Sequence, residues 1–336
     1  MRKLIAIIVI LFGLWGGYWF VGSTALKSGM TDYLERQHSP NAPIQITYSK
    51  LDVRGFPNRF DTRLDDISIT DAMRGIKWSA PFFEIYALSY KPYHIIAALP
   101  HSQTLRLKGQ QLQINSDEIK GSVVFAPNTL LDKMLIIQRS SFVIRNLGIG
   151  SDMGWNTAVV DANIATRQTP TKPLHYDLAA SAKGISLPDA LRAAIDPAQL
   201  QPQVFDSLAL DSTLAFTQPW NLLAKGKNAP VLSEITVNDM TIIWGDVQFQ
   251  ATGVLQIEAN GMPTGRLDLT ATNWQQIYQL AKNANALDPD FAQTIQNGLK
   301  VLAGMSEGEN VIKAPLVFED GQISLGPFPI GPIPRF

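Results

Sequence analysis

The sequence contains no cysteine, only four histidines, and charged side chains at just 17% of its 336 positions. Without cysteine there is no disulfide framework, thiolate nucleophile, Cys-ligated zinc, iron–sulfur cluster or lipid-modified N-terminal cysteine. The 28 basic residues nearly balance the 29 acidic ones. That balance leaves no electrostatic footprint for following a phosphate backbone, so no nucleic-acid partner is expected. Catalytic signatures are equally sparse. His38, His94, His101 and His175 show no metal-ligand spacing. The run Gly148-Ile149-Gly150-Ser151-Asp152-Met153-Gly154 has one residue too many for the dinucleotide fingerprint and no helix after it. Asp65-Asp66 and Asp117-Glu118 would point to alternate faces of a strand, so neither pair brings two carboxylates together. No G-x-S-x-G, S-x-x-K or phosphate-loop pattern occurs. The expectation is a protein with no catalytic residues, no metal and no cofactor.

What the sequence does contain begins at its N-terminus. Arg2 and Lys3 precede an uncharged stretch from Leu4 to Leu26, with Trp15, Tyr18, Trp19 and Phe20 in its second half. At about 1.5 Å per residue such a stretch crosses the ~30 Å hydrocarbon layer, and its aromatic residues suit the headgroup level. Basic residues ahead of the span keep that end cytoplasmic and send the body outward. The competing reading is a cleaved signal peptide, with Ser23-Thr24-Ala25 as its small-residue site; the apolar stretch is longer and more aromatic than such signals need. Helical spacing continues through Leu26, Met30, Tyr33 and Leu34 until Pro40 and Pro43 stop it.

Beyond residue 43 the period changes to two. Ile44, Ile46 and Tyr48 alternate with polar residues, as do Phe60, Thr62 and Leu64, then Ile67 and Ile69 after an expected bulge at Asp65-Asp66. The same grammar recurs through Phe83, Leu105, Leu112, Val123 and Phe142, and again after a proline-marked loop at 169–173. Gly245-Asp246 and Asn260-Gly261 mark hairpin turns, and Glu319-Asp320-Gly321 closes a last one. Helices are expected only at 187–195 and at about 274–303, the latter broken near Asp288-Pro289. The C-terminal run from Gly326 to Phe336 is too proline-rich for a central strand and suits an extended coil. It also excludes an outer-membrane barrel, whose last strand alternates.

The fold class that follows is mainly β: an N-terminal transmembrane helix, then a large curved antiparallel sheet, half-pipe or sandwich, partly covered by few helices. The organisation expected is 1–26 anchor or signal, 27–43 helical linker, 44–182 first β-rich half, and 183–336 second half with the helices and the tail. Leu210, Leu214, Phe216, Phe249, Leu255, Ile257 and Leu269 belong to alternating apolar sets and are candidates for the inward face. Periodicity alone leaves open whether that face is a dry core or a lipid-lined groove. Phe56, held between Gly55 and Pro57, and Tyr90 with Tyr93 around Pro92 are candidates for surface contact.

Several runs resemble a known family. Tyr48-Ser49-Lys50-Leu51-Asp52-Val53-Arg54-Gly55-Phe56-Pro57-Asn58-Arg59-Phe60-Asp61, Trp78-Ser79-Ala80-Pro81, Tyr90-Lys91-Pro92-Tyr93-His94 and Ala97-Ala98-Leu99-Pro100, together with the closing Phe318-Glu319-Asp320-Gly321-Gln322 and the glycine-proline tail, resemble the bacterial family called domain of unknown function 2125. The resemblance implies an inner-membrane-anchored envelope protein of Gram-negative cells with no assigned activity. The closing hairpin and tail are similar in style to AsmA-like envelope proteins, whose curved sheets are associated with phospholipid passage. The functional expectation is a single-pass inner-membrane protein with its body in the periplasm, binding or passing phospholipid along an apolar sheet. The alternative is a non-catalytic assembly factor that binds another envelope protein, with a hydrolase of envelope polymers ranked third.

Overall fold

The computed structural model describes residues 1–37, 43–127, 134–285, 289–306 and 308–333. His38, Pro40, Asp288 and Phe336, all named above, lie outside the described residues. The chain divides into two compact units, one of residues 1–127 with 142–154 and one of residues 128–141 with 155–336. Both are built from antiparallel sheet, with eighteen strands among the described residues, as the alternating pattern predicts.

The first unit opens with a single helix, α1 (Arg2–Gln37), whose two halves obey different rules. Residues such as Leu4, Ile8, Leu11 and Val21 are 56–72% exposed and apolar on every side. Among the described residues this is the one helix long and apolar enough to cross a membrane. The second half is amphipathic. Leu34, only 4% exposed, packs with Met30 onto Leu51, Leu64, Ile67 and Ala80 of the sheet. The position 26/27 that separates anchor from linker in the sequence therefore falls inside one continuous helix.

The sheet of this unit runs β1 (Gln45–Thr47), β2 (Lys50–Arg54), β3 (Arg59–Asp71), β4 (Ile76–Leu88), β5 (Lys91–Leu99), β6 (Ser102–Leu107), β7 (Gln110–Asn115), β8 (Glu118–Phe125) and, from Phe142 onward, β9 (Ile137–Ser151). β3 is central to this unit, pairing with β1 and β2 along one side and with β4 along the other. The bulge expected at Asp65-Asp66 takes a milder form. The register of β3 on β4 is unbroken from Asp65 opposite Phe82 to Ile67 opposite Ala80, while Asp66 itself adopts φ +50°. Its neighbour across the ladder is Pro81, which has no N–H to offer.

The second unit is a regular meander: β10 (Asn156–Gln168), β11 (His175–Ser186), β12 (Val204–Phe216), β13 (Leu232–Trp244), β14 (Val247–Ile257), β15 (Pro263–Thr272), β16 (Val311–Glu319), β17 (Gln322–Leu325) and β18 (Phe328–Pro332). Each strand pairs with the next. The position 182/183 lies within β11. Three helices interrupt the meander: α2 (Asp189–Ile195), α3 (Trp274–Asn283) and α4 (Pro289–Gly304). The proline-rich tail differs from expectation, since part of it is strand β18. It pairs with β17 alone among the described strands, and an edge strand needs ladder bonds on one side only, so the N–H groups that Pro329 and Pro332 lack are not missed.

Candidate functional site

Cross-strand partners in an antiparallel ladder share a face, so the register shows where the apolar candidates point. Tyr176 stands opposite Leu214, and Leu214 opposite Ile235. Ile235 stands opposite Leu255. Leu210 faces Met240, Phe249 faces Ala271, Leu269 faces Ala251, and Ile257 faces Pro263. With Phe216 two residues beyond Leu214 on β12, all seven sequence candidates project from one face of the second unit's sheet. The opposite face carries the polar partners. There Arg167 bonds Asp177 at 2.9 Å, and that hydrogen bond holds the Asp177 carboxyl below the usual carboxylate range.

The seven residues do not share one environment. Phe249 and Leu269 line a cavity of about 180 Å³ closed on its other side by Trp274, Ile277, Tyr278 and Leu299 of the helices. Leu255 is 6% exposed and packs with Phe318 and Ile333 into a small buried apolar cluster. Phe216 belongs to an aromatic cluster, its ring stacked on Trp220 at 5.7 Å and set edge-on to Tyr176 at 5.8 Å. Tyr176 is fully buried; its hydroxyl accepts the Trp220 N–H at 3.1 Å, and burial pushes its pKa up. Leu210, Leu214 and Ile257 are half-buried.

The cavity is lined by carbon although a tryptophan and a tyrosine form part of its wall. The Trp274 indole N–H donates to the Glu309 carbonyl at 3.1 Å, and the Tyr278 hydroxyl donates to the Ala292 carbonyl at 2.9 Å. Each ring thus presents its apolar body while its polar atom is satisfied by backbone. Such a space offers no donor or acceptor to a polar guest. It is large enough for a small apolar group, since an engineered cavity of about 150 Å³ admits benzene. From the cavity the apolar face continues across β13, β12 and β11 to β10, where side chains are more exposed. Val160 and Ile164 are 55% and 49% exposed there, and Val204 on β12 is 43% exposed.

The helical wall was half legible. Four-residue spacing puts Ile277 and Ala281 on one face of α3 and Ile295 and Leu299 on one face of α4, but spacing does not say which part of the sheet either face meets. Ile330, also on the wall, sits in the segment expected to be coil and carried no signal.

The surface candidates lie in the first unit. Phe56, 45% exposed, rests against α1, its ring 5.4 Å from that of Trp19 and 5.9 Å from that of Phe20. Tyr90, 54% exposed, occupies the turn between β4 and β5, and Tyr93 is half-buried on β5. His94 Nε2 lies 3.1 Å from Ser122 Oγ, and His101 Nδ1 lies 2.9 Å from the Ser116 carbonyl. Among the described residues no three histidine, aspartate or glutamate side chains converge in a way that could hold a metal ion.

A family model described as "Uncharacterized protein conserved in bacteria (DUF2125)" matches residues 19–334. No curated protein and no solved structure matches the chain.

Proposed function

The chain belongs to the DUF2125 family of bacteria, and on that premise we propose that it is a single-pass inner-membrane protein whose periplasmic body holds a phospholipid acyl chain on the apolar face of its second unit, without covalent chemistry. The observation that carries this reading is the cavity under α3 and α4, lined by carbon and continuous along the register with a sheet face that is half exposed at Val160, Ile164 and Val204. A sheet that needed only a core would be covered from edge to edge. The uncovered apolar side chains Val160, Ile164 and Val204 suit an interaction site, and a hydrocarbon chain is the guest that asks for no hydrogen bond. At about 180 Å³ the cavity falls below the about 300–1,000 Å³ of pockets that enclose whole small molecules. It therefore takes the end of a chain, while the rest lies along the open face.

Residues 2 and 3 supply the cytoplasmic charge, the apolar half of α1 the span, and the amphipathic half the joint to the body. The full-length protein, extracted from membranes in mild detergent and examined by native mass spectrometry, should carry the mass increment of one phospholipid. A bare protein that also fails to take up added phosphatidylethanolamine or phosphatidylglycerol would end this reading. Retention of a polypeptide instead of lipid would favour the assembly-factor alternative.

A further inference from the structure

The apolar half of α1 fixes where a bilayer must lie, and the first unit places two turns beside it. Twenty residues from Leu4 to Ser23 span about 30 Å at about 1.5 Å each, the thickness of the hydrocarbon core. The outer edge of that core then falls near Ser23. The turn between β2 and β3 reaches past this edge. The Phe56 ring lies 6.3 Å from that of Phe12 and against the helix backbone at Gly16, where an added Cβ would stand 3.7 Å from it. Gly16 is seven residues below Ser23, about 10 Å along the axis.

We propose that the turns at residues 55–58 and 89–90 form a foot set into the outer leaflet of the membrane that α1 crosses, with Phe56 among the acyl chains and Tyr90 at the headgroups. This rests on the reading of α1 as a membrane anchor.

The hydrogen bonding of the foot supports it independently. Backbone groups in hydrocarbon must be satisfied within the protein, because no water reaches them. Here the Gly55 carbonyl accepts the N–H groups of Asn58 and Arg59, and the Asn58 carbonyl accepts that of Ser89. The Arg59 carbonyl accepts the Trp19 indole N–H at 2.7 Å, and the Ser89 carbonyl accepts the Tyr18 hydroxyl at 2.7 Å. The Trp15 indole N–H donates to Asn58 Oδ1 at 3.1 Å. Pro57 has no N–H to satisfy. Three aromatic residues of the helix thus serve polar atoms of the turns that a water-exposed loop would leave to solvent. Arg54 and Arg59, with side chains 65% and 51% exposed, pair with Asp52 and Asp61 at 2.8 Å, so their stems lead neutralised charge out toward headgroup level.

The absence of cysteine makes the test direct. Single variants Ile8→Cys, Phe56→Cys, Tyr90→Cys and Met73→Cys would be spin-labelled in the full-length protein, reconstituted in vesicles of phosphatidylethanolamine and phosphatidylglycerol. Met73, 88% exposed in the turn between β3 and β4, stands at the far end of β3 from Phe56. Collisions with oxygen should dominate over collisions with a water-soluble nickel chelate at positions 8 and 56. The two should be comparable at 90, and nickel should dominate at 73. Oxygen dominance at 8 with nickel dominance at both 56 and 90 would overturn the foot and leave the anchor standing. Nickel dominance at all four positions would overturn the anchor and the foot together.

Discussion

Leu255→Asp should abolish the folded state of the second unit, whereas Phe249→Ala, three pleat repeats away on the same face of β14, should be mild. Leu255 is 6% exposed and touches Phe318 and Ile333. A carboxylate there has only carbon around it, and burying a polar group without a partner costs about 4 kcal/mol or more, comparable with the about 5–15 kcal/mol that holds a domain together. Phe249 has an empty space on one side. A wall that already lacks close-packed neighbours loses few contacts on truncation, so the expected loss is about 1–2 kcal/mol rather than the about 3–5 kcal/mol typical of a packed phenylalanine. The check is denaturant unfolding of the delipidated proteins, followed by circular dichroism. Equal, large losses at Phe249→Ala and Leu255→Ala would mean that the cavity closes into an ordinary core and that no chain can enter it.

Gly253→Ala should be nearly as damaging. Its φ of +147° lies where side chains are rarely tolerated. A Cβ at this position would stand 2.3 Å from the Arg266 carbonyl oxygen and 2.9 Å from the Leu267 Cα, both backbone of β15. Neither can swing aside as a side-chain tip could. Strain at the dihedral and overpacking together should cost about 2–6 kcal/mol, so the β14–β15 ladder opens or shifts register. Because β15 carries Leu269 and Ala271 on the cavity wall, the variant should lose both thermal stability and bound lipid. A melting temperature unchanged from the parent chain would show that the two strands do not pair as described.

Most of this fold follows from a period of two with one apolar face, which survives in the sequence because every strand of the meander buries the same side. That is why the sequence alone groups Leu210, Leu214, Phe216, Phe249, Leu255, Ile257 and Leu269 on one face. Their division into a cavity pair, a core residue and an aromatic end could not. It depends on where α3, α4 and Ile333 come to rest, and those contacts join residues far apart in the chain. Phe56 shows the same limit. Gly55 and Pro57 mark it as held in a turn, but its neighbours Phe12, Trp19 and Phe20 lie about forty residues earlier, and alternation says nothing about them. The tail misleads for a different reason: prolines forbid a central strand, and β18 is an edge.

The most direct test of the lipid reading is to ask where an acyl chain lies. A phospholipid with a photoactivatable group near the end of one chain would be incorporated into membranes holding the full-length protein, irradiated, and the attachment points mapped by peptide sequencing. Attachment in the second unit should concentrate on β14, β15 and α3, around Phe249, Leu269 and Ile277, and should fall sharply when Ala281→Phe fills the cavity. Labelling confined to residues 4–23 of α1 and the turn at Phe56, with none on those three elements and no change in Ala281→Phe, would contradict the proposal and leave the protein as an anchored β-sheet body that does not hold lipid.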